Sequence, residues 1–173
     1  MICVGKGLSS GYTPLAALLC RQHVADAFWG DVTSNPGFVE GHTFEGNPLG
    51  AVAGLATLEE IVSRDLCENA RRTGARLRKG LEDMQRHGVI GDIRGKGLFQ
   101  GIEFVADRTT REQFDPPIGT QIGRRALANG LLTRFDPHWL AIAPPLIVEE
   151  DQIDQILAIL DRSVQEVLST IKP

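Results

Sequence analysis

The 173-residue sequence lacks the features that mark several classes of protein. Its three cysteines, Cys3, Cys20 and Cys67, are odd in number and widely spaced, and no Cys-x-x-Cys pair occurs. This pattern argues against a disulfide framework and against a zinc site, so no metal is expected. We interpret the cysteines as reduced thiols that serve as small buried hydrophobic side chains. No internal repeat or low-complexity tract is present either.

Long apolar runs and excess basic charge are also missing. No uncharged apolar stretch approaches the roughly 18 residues that a membrane span needs, and no signal peptide opens the chain. The net charge is −4 and the pI is about 5.6, so neither nucleic acid nor an anionic membrane is an expected partner. Small anions stay open as ligands, because local arginines and helix N-termini bind them. We therefore expect a cytoplasmic protein.

The composition is that of a soluble globular protein, with 42% hydrophobic residues, 23% charged residues and a mean hydropathy of −0.07. A chain of this length can bury a sizeable core. Helix signals are clearest at Asn47-Pro48, where Asn is a favourable N-cap and Pro suits the first helical position. The helix body over residues 49–62 is apolar on nearly every side, so we expect it to be buried in a larger body than this chain alone could supply.

Hydrophobic periodicity and Gly or Pro punctuation predict the remaining elements. The first half is predicted to contain a short buried strand at 2–4, a short helix from 15 to 28, an extended loop over 30–46 and a surface helix over 64–87 that ends at Gly88. Strands at 89–94 and 98–105 follow, joined by Gly95-Lys96-Gly97. The rest is predicted as a helix over 118–129 closed by Gly130, strands at 131–134 and 140–143, and a last helix that begins at 149–151.

Lys6 is the candidate functional residue that stands out first. It lies between Gly5 and Gly7, directly after an apolar run, and the glycines would let a ligand approach closely from either side. A Schiff-base lysine is often mounted in this way, but a solvated lysine near a chain end has the same local sequence. This segment alone leaves both interpretations open.

Four segments together carry a family resemblance. They are GKGLSSGYTPL at 5–15, GHTFEGNP at 41–48, IRGKGLFQGIE at 93–103 and APPLI at 143–147. In this order and spacing they resemble the signatures of class III aminotransferases, which are fold-type I enzymes that use pyridoxal phosphate. The resemblance implies an α/β fold in which residues 1–75 form the end of the large cofactor-binding domain and 76–173 form a small C-terminal α+β domain.

The resemblance also implies roles for individual residues. Lys6 matches the lysine that forms a Schiff base with pyridoxal phosphate and later moves a proton on the substrate. Such an amine is expected to lie out of water beside cationic groups, since burial favours its neutral form. Lys96 is its only rival, and it lacks both the preceding buried strand and the following Gly-Tyr-x-Pro loop.

Two further site residues follow from the resemblance. Thr43 matches the residue whose hydroxyl reaches the cofactor phosphate of the partner subunit, which implies a homodimer. Arg134 matches the arginine that pairs with the substrate carboxylate, and a guanidinium has the two-pronged geometry for that task.

The implied function is the transfer of an amino group from an amine or amino acid to a 2-oxo acid. The family's glycine-rich phosphate loop, ring-stacking aromatic residue and pyridine-binding aspartate lie upstream of the lysine, so we expect this chain to be a fragment with little or no activity alone. Two alternatives stay open. One is a pyridoxal phosphate-dependent aminomutase, decarboxylase or racemase of the same family, and the other is a non-catalytic remnant.

Overall fold

The computed structural model of the protein describes residues 1–31, 33, 37 and 40–171. The chain divides into two compact units, Met1–Arg64 and Asp65–Pro173. The predicted loop over 30–46 therefore falls partly outside the described residues.

The first unit opens with a two-stranded antiparallel sheet. Strand β1 (Ile2–Val4) pairs with β2 (Ala17–Leu19), and Cys3 lies opposite Leu18. The strand at 2–4 is confirmed, but its first two residues, Ile2 and Cys3, are exposed rather than buried. The helix predicted over 15–28 is wrong in its first part, because pairing with β1 overrides the helical propensity of the Leu and Ala residues. Only the short helix α1 (Gln22–Ala25) and a 3-10 turn at Asp26–Phe28 remain of it.

Helix α2 (Pro48–Ser63) begins as the sequence predicts. The side chain of Asn47 accepts a hydrogen bond from the Leu49 backbone N–H at 2.9 Å, and Pro48 occupies the first helical position. Gly50 and Gly54 are buried, and a Cβ at Gly54 would lie 2.6 Å from the side chain of Leu15. One face of α2 stays uncovered by the described part of this unit; its exposed apolar residues are Leu49, Val52, Leu55, Leu58 and Val62.

The second unit begins with helix α3 (Leu66–Asp83), which continues as a 3-10 turn and ends at Gly88. The left-handed conformation of Gly88, with φ of 76°, terminates it as predicted. Leu77 and Leu81 are fully buried in the core of this unit. All of α3 thus belongs to the second unit.

A four-stranded antiparallel sheet with the order β3-β4-β6-β5 forms the second layer. Its strands are β3 (Ile90–Lys96), β4 (Phe99–Phe104), β5 (Arg134–Phe135) and β6 (Trp139–Ile142). The predicted hairpin is confirmed, but its turn lies at residues 97–98, because Gly95 and Lys96 still pair with Gln100 and Phe99 in the ladder. The strand predicted at 131–134 begins only at its last residue.

Three helices cover one face of this sheet. They are α3, α4 (Gly119–Ala128) and α5 (Glu150–Leu168). Helix α5 opens with a reciprocal capping box between Glu149 and Gln152, as its acidic start suggests. The core lies between these helices and the inward side chains of the strands, which include Ile93, Ile102, Phe104, Leu140 and Ile142.

The cysteine interpretation is partly wrong. All three cysteines are free thiols, but each is exposed rather than buried. Cys3 is an exposed residue of β1, and Cys67 lies in the first turn of α3. Among the described residues, no group of three or more His, Cys, Asp or Glu side chains could hold a metal ion. No helix in the described ranges is long and apolar enough to cross a membrane.

Candidate active-site residues

Lys6 lies where β1 ends and a 3-10 turn, Lys6–Ser9, begins. Its backbone is left-handed, with φ of 56°. For a residue with a side chain this conformation costs about 1–3 kcal/mol, and such residues concentrate at functional sites. A Schiff-base amine is expected to lie out of water, whereas Lys6 is exposed in this chain. Within the described residues its side chain makes no ion pair and no hydrogen bond.

Hydrogen bonds within the loop fix the backbone around Lys6. The Leu8 N–H donates to the Gly5 carbonyl at 3.1 Å. Ser9 is buried, and its hydroxyl donates to the Thr13 carbonyl across the loop. The turn that carries the lysine is therefore held by its own polar groups, while the amine itself stays free.

Glycines keep the surface next to this amine open. A Cβ added at Gly7 or at Gly11 would meet no atom within 4 Å. An unpaired primary amine beside open backbone fits a cofactor that carries an aldehyde, because the amine can condense with it. The residues around Lys6 thus fit pyridoxal phosphate in donor chemistry and in access.

Thr43 lies in the turn that precedes α2. The Glu45 N–H donates to the His42 carbonyl at 2.9 Å, and the Asn47 N–H donates to the Phe44 carbonyl at 3.1 Å. Thr43 is exposed, and its hydroxyl has no partner among the described residues. A free hydroxyl on a hydrogen-bonded turn is able to donate to a phosphate oxygen.

Arg134 begins β5 and is exposed. Its guanidinium carbon lies over the ring of Trp139, 5.4 Å from the ring centroid. In the part of the chain that the structure describes, no carboxylate pairs with it. Lys6 and Thr43 belong to the unit of residues 1–64, whereas Arg134 belongs to that of residues 65–173.

Sequence reasoning missed Trp139. A usable signal existed, because Pro137 marks a tight connection between two strand candidates that would bring residues 134 and 139 together. In the structure the Asp136 N–H donates to the Trp139 carbonyl at 2.9 Å and closes that connection.

A family model for class-III aminotransferases matches residues 1–164, which is nearly the whole chain. The chain belongs to the class III aminotransferase family. An aminotransferase of Sinorhizobium fredii is 34% identical over 176 residues, an alignment that covers 99% of this chain and 38% of the relative. This aminotransferase chain therefore spans less than two-fifths of the length of that relative.

Solved structures extend the comparison to the fold. The adenosylmethionine-8-amino-7-oxononanoate aminotransferase of Methanocaldococcus jannaschii has 32% identity and a TM-score of 0.86, over 95% of this chain and 38% of that one. An amine transaminase from an uncultivated Pseudomonas species, solved in its PLP-bound internal aldimine form, has 31% identity and a TM-score of 0.86 over the same shares. The α/β fold of the aminotransferase chain is thus that of fold-type I transaminases, and class III aminotransferases use pyridoxal phosphate.

Proposed function

We propose that this chain is part of a pyridoxal phosphate-dependent aminotransferase that moves an amino group from an amine or amino acid to a 2-oxo acid. The observation that carries the proposal is Lys6, an unpaired amine on a left-handed residue next to an open glycine, in a chain whose family match covers residues 1–164. When bound, pyridoxal phosphate supplies an aldehyde for amines and a ring that stabilises negative charge on the substrate carbon.

In this proposal Lys6 holds the cofactor through its ε-amine. With the cofactor bound, the Lys6 nitrogen would take up a proton from the substrate carbon and would release it again. The hydrogen-bonded turn would fix the Lys6 backbone, while the flexible side chain would carry the nitrogen and its proton.

Thr43 would bind the cofactor phosphate, and Arg134 would bind the substrate carboxylate. We propose that the Thr43 hydroxyl donates to a phosphate oxygen of the cofactor in the partner subunit, so the active enzyme is a homodimer. The unpaired Arg134 guanidinium would bind the substrate carboxylate through two parallel hydrogen bonds. Residues 1–75 would then close the large cofactor-binding domain, and 76–173 would form the small domain.

Activity is proposed for the whole enzyme rather than for these 173 residues. The chain spans 38% of the Sinorhizobium fredii relative, and the resemblance assigns the phosphate loop and the pyridine-binding aspartate to parts upstream of the lysine. We expect this chain alone to show little or no transaminase activity. Free thiols and the acidic composition favour a cytoplasmic location.

Borohydride trapping tests the cofactor assignment. The chain is incubated with pyridoxal phosphate and reduced with borohydride, and the pyridoxyl group is located by peptide mass spectrometry. We expect the label to be concentrated on Lys6, with little on Lys79 or Lys96. The exposure of Lys6 favours one second candidate, a non-catalytic remnant. Label spread evenly over Lys6, Lys79, Lys96 and Lys172 would support that candidate and contradict the proposal.

A further inference from the structure

The face of the second-unit sheet that points away from the helices carries an ordered row of side chains. Strand pairing places Arg94 opposite Gly101, Gly101 opposite Ala141, and Ala141 opposite Arg134. Residues directly opposite in antiparallel strands share a face. An arginine therefore stands at each end of the row, and the two residues between them are small.

The small residues leave a trough over this part of the sheet, a hollow of about 360 Å³ whose lining includes Arg94, Gly101, Trp139 and Ala141. Arg134 does not line the hollow itself; its guanidinium lies beside it, over the ring of the lining residue Trp139. Adjacent strands are about 4.8 Å apart, so the two ends of the row are separated by roughly 14 Å of sheet. A small organic acid is short enough to lie along this trough.

The two arginines differ in their partners. Arg94 is held by two carboxylates of the next row, with Asp92 at 3.3 Å and Glu103 at 3.7 Å. Glu103 also accepts from Arg111 at 3.3 Å. Arg134 has no carboxylate partner among the described residues and lies over Trp139 instead. The positive charge at the Arg94 end is therefore compensated, and the Arg134 end keeps its charge for a ligand.

Trp139 is itself fixed from both sides. It pairs with Glu103 of β4 on one side, and its carbonyl accepts from the Asp136 N–H on the other. Since Arg134 lies opposite Ala141, Trp139 is its diagonal neighbour, at the distance that long side chains span. The 5.4 Å separation of the guanidinium carbon and the ring centroid is within the range of a cation–π contact.

We propose that Trp139 is a positioning residue for Arg134 and holds its guanidinium beside the trough for the substrate carboxylate. A guanidinium can lie against an aromatic ring while its N–H edge binds a carboxylate, so the two contacts are compatible. A long arginine side chain loses conformational freedom when it binds, and a side chain already held over the ring has less to lose. This inference rests on the proposed role of Arg134 in binding the substrate carboxylate.

Nuclear magnetic resonance of the arginine side chains tests it on the 173-residue chain. The Nε–H signal of Arg134 is assigned by its loss in Arg134→Leu, and sodium propanoate is titrated against sodium chloride at equal ionic strength. We expect the ring current of Trp139 to shift this signal upfield and propanoate to move it saturably. In Trp139→Leu the upfield shift should disappear, and the Kd for propanoate should rise about two- to five-fold, the change expected when an exposed cation–π contact is lost. Trp139→Phe keeps an aromatic face and should restore most of the upfield shift and most of the affinity.

The outcomes separate the two claims. A Kd and an Arg134 signal that are the same in Trp139→Leu and in the parent chain would overturn the role of Trp139 and leave Arg134 in place. If propanoate moves the Arg134 signal no more than chloride does, the role of Arg134 falls, and the role of Trp139 falls with it.

A second readout avoids substitution of Trp139 altogether. In a Trp29→Phe background Trp139 is the one remaining tryptophan. We expect its fluorescence to change when Arg134→Leu is added and to respond to propanoate only when Arg134 is present. An emission spectrum unaffected by Arg134→Leu would contradict the contact.

Discussion

Gly74 of α3 lies directly against Gly97 of the hairpin turn between β3 and β4. A Cβ at Gly74 would lie 2.4 Å from the carbonyl carbon of Gly97 and 2.6 Å from its oxygen. Gly97 is itself left-handed, with φ of 56°. The helix and the turn thus touch backbone to backbone, and this contact sets the position of the hairpin.

We predict that Gly74→Ala destabilises the protein by about 1–3 kcal/mol, because the clash is with backbone that cannot rotate away. The intrinsic gain of alanine in a helix, about 1 kcal/mol, is too small to reverse the sign. Gly80→Ala in the same helix is the matched control. The three atoms nearest to its Cβ would all belong to the side chain of Leu157, which is able to change rotamer. Urea denaturation compares the two, and an equal or smaller loss for Gly74→Ala would refute the backbone contact.

Asn47 should stabilise the start of α2 through its side-chain oxygen. Asn47→Ala removes the acceptor for the Leu49 N–H and should cost about 0.5–2 kcal/mol of unfolding free energy. Asn47→Asp keeps an acceptor at the same place, so its stability should stay near that of the parent. Thermal unfolding by circular dichroism measures both variants. Equal losses for the two would show that the cap does not depend on the oxygen.

The cross-helix pair of Arg76 and Asp154 predicts an acid-sensitive contribution to stability. Arg76 binds Asp154 through two hydrogen bonds of 2.7 Å, and this bonding lowers the pKa of the Asp154 carboxyl below its ordinary value. A carboxyl with a lowered pKa in the folded state stabilises the fold above its unfolded pKa of about 3.9. That contribution is lost as the pH falls through the lower folded value.

Arg76→Leu should therefore lower stability at pH 7 and converge with the parent chain in acid well below the pKa of aspartate. Arg71→Leu is the control for loss of an ion pair within one helix, because Arg71 pairs with Glu68 on α3 and joins no second element. Denaturation midpoints across pH test the prediction. A deficit of Arg76→Leu that persists unchanged in acid would contradict the carboxylate pairing.

Local chemistry made several element boundaries predictable from the sequence. Asn47-Pro48 starts α2, Gly88 ends the helix before it, and the acidic residues at 149–151 start α5. These signals are local, since a cap or a left-handed glycine acts within one turn of backbone. The hairpin between β3 and β4 was predictable for the same reason, although its turn lies at residues 97–98 rather than at 95–97.

Features that depend on distant partners were not predictable in this way. Residues 17–19 form a strand because β1 lies beside them, although their sequence favours a helix. Pro137 indicates a tight connection before Trp139, but the contact between Arg134 and Trp139 also depends on strand register, which that signal does not specify. Lys6 became a candidate through its motif, yet its exposure depends on which other elements pack against it.

The chain offers an internal control for the assignment of Lys6 as the cofactor-binding lysine, because the sequence Gly-Lys-Gly occurs at residues 5–7 and again at 95–97. Lys6 and Lys96 are both exposed, so they differ in structural context rather than in immediate neighbours or access. The decisive measurement is the intact mass after borohydride reduction with pyridoxal phosphate, compared between Lys6→Arg and Lys96→Arg. We predict that Lys6→Arg loses the pyridoxyl adduct and that Lys96→Arg keeps it in full. Equal adduct on the two variants would contradict the assignment of Lys6 as the cofactor-binding lysine.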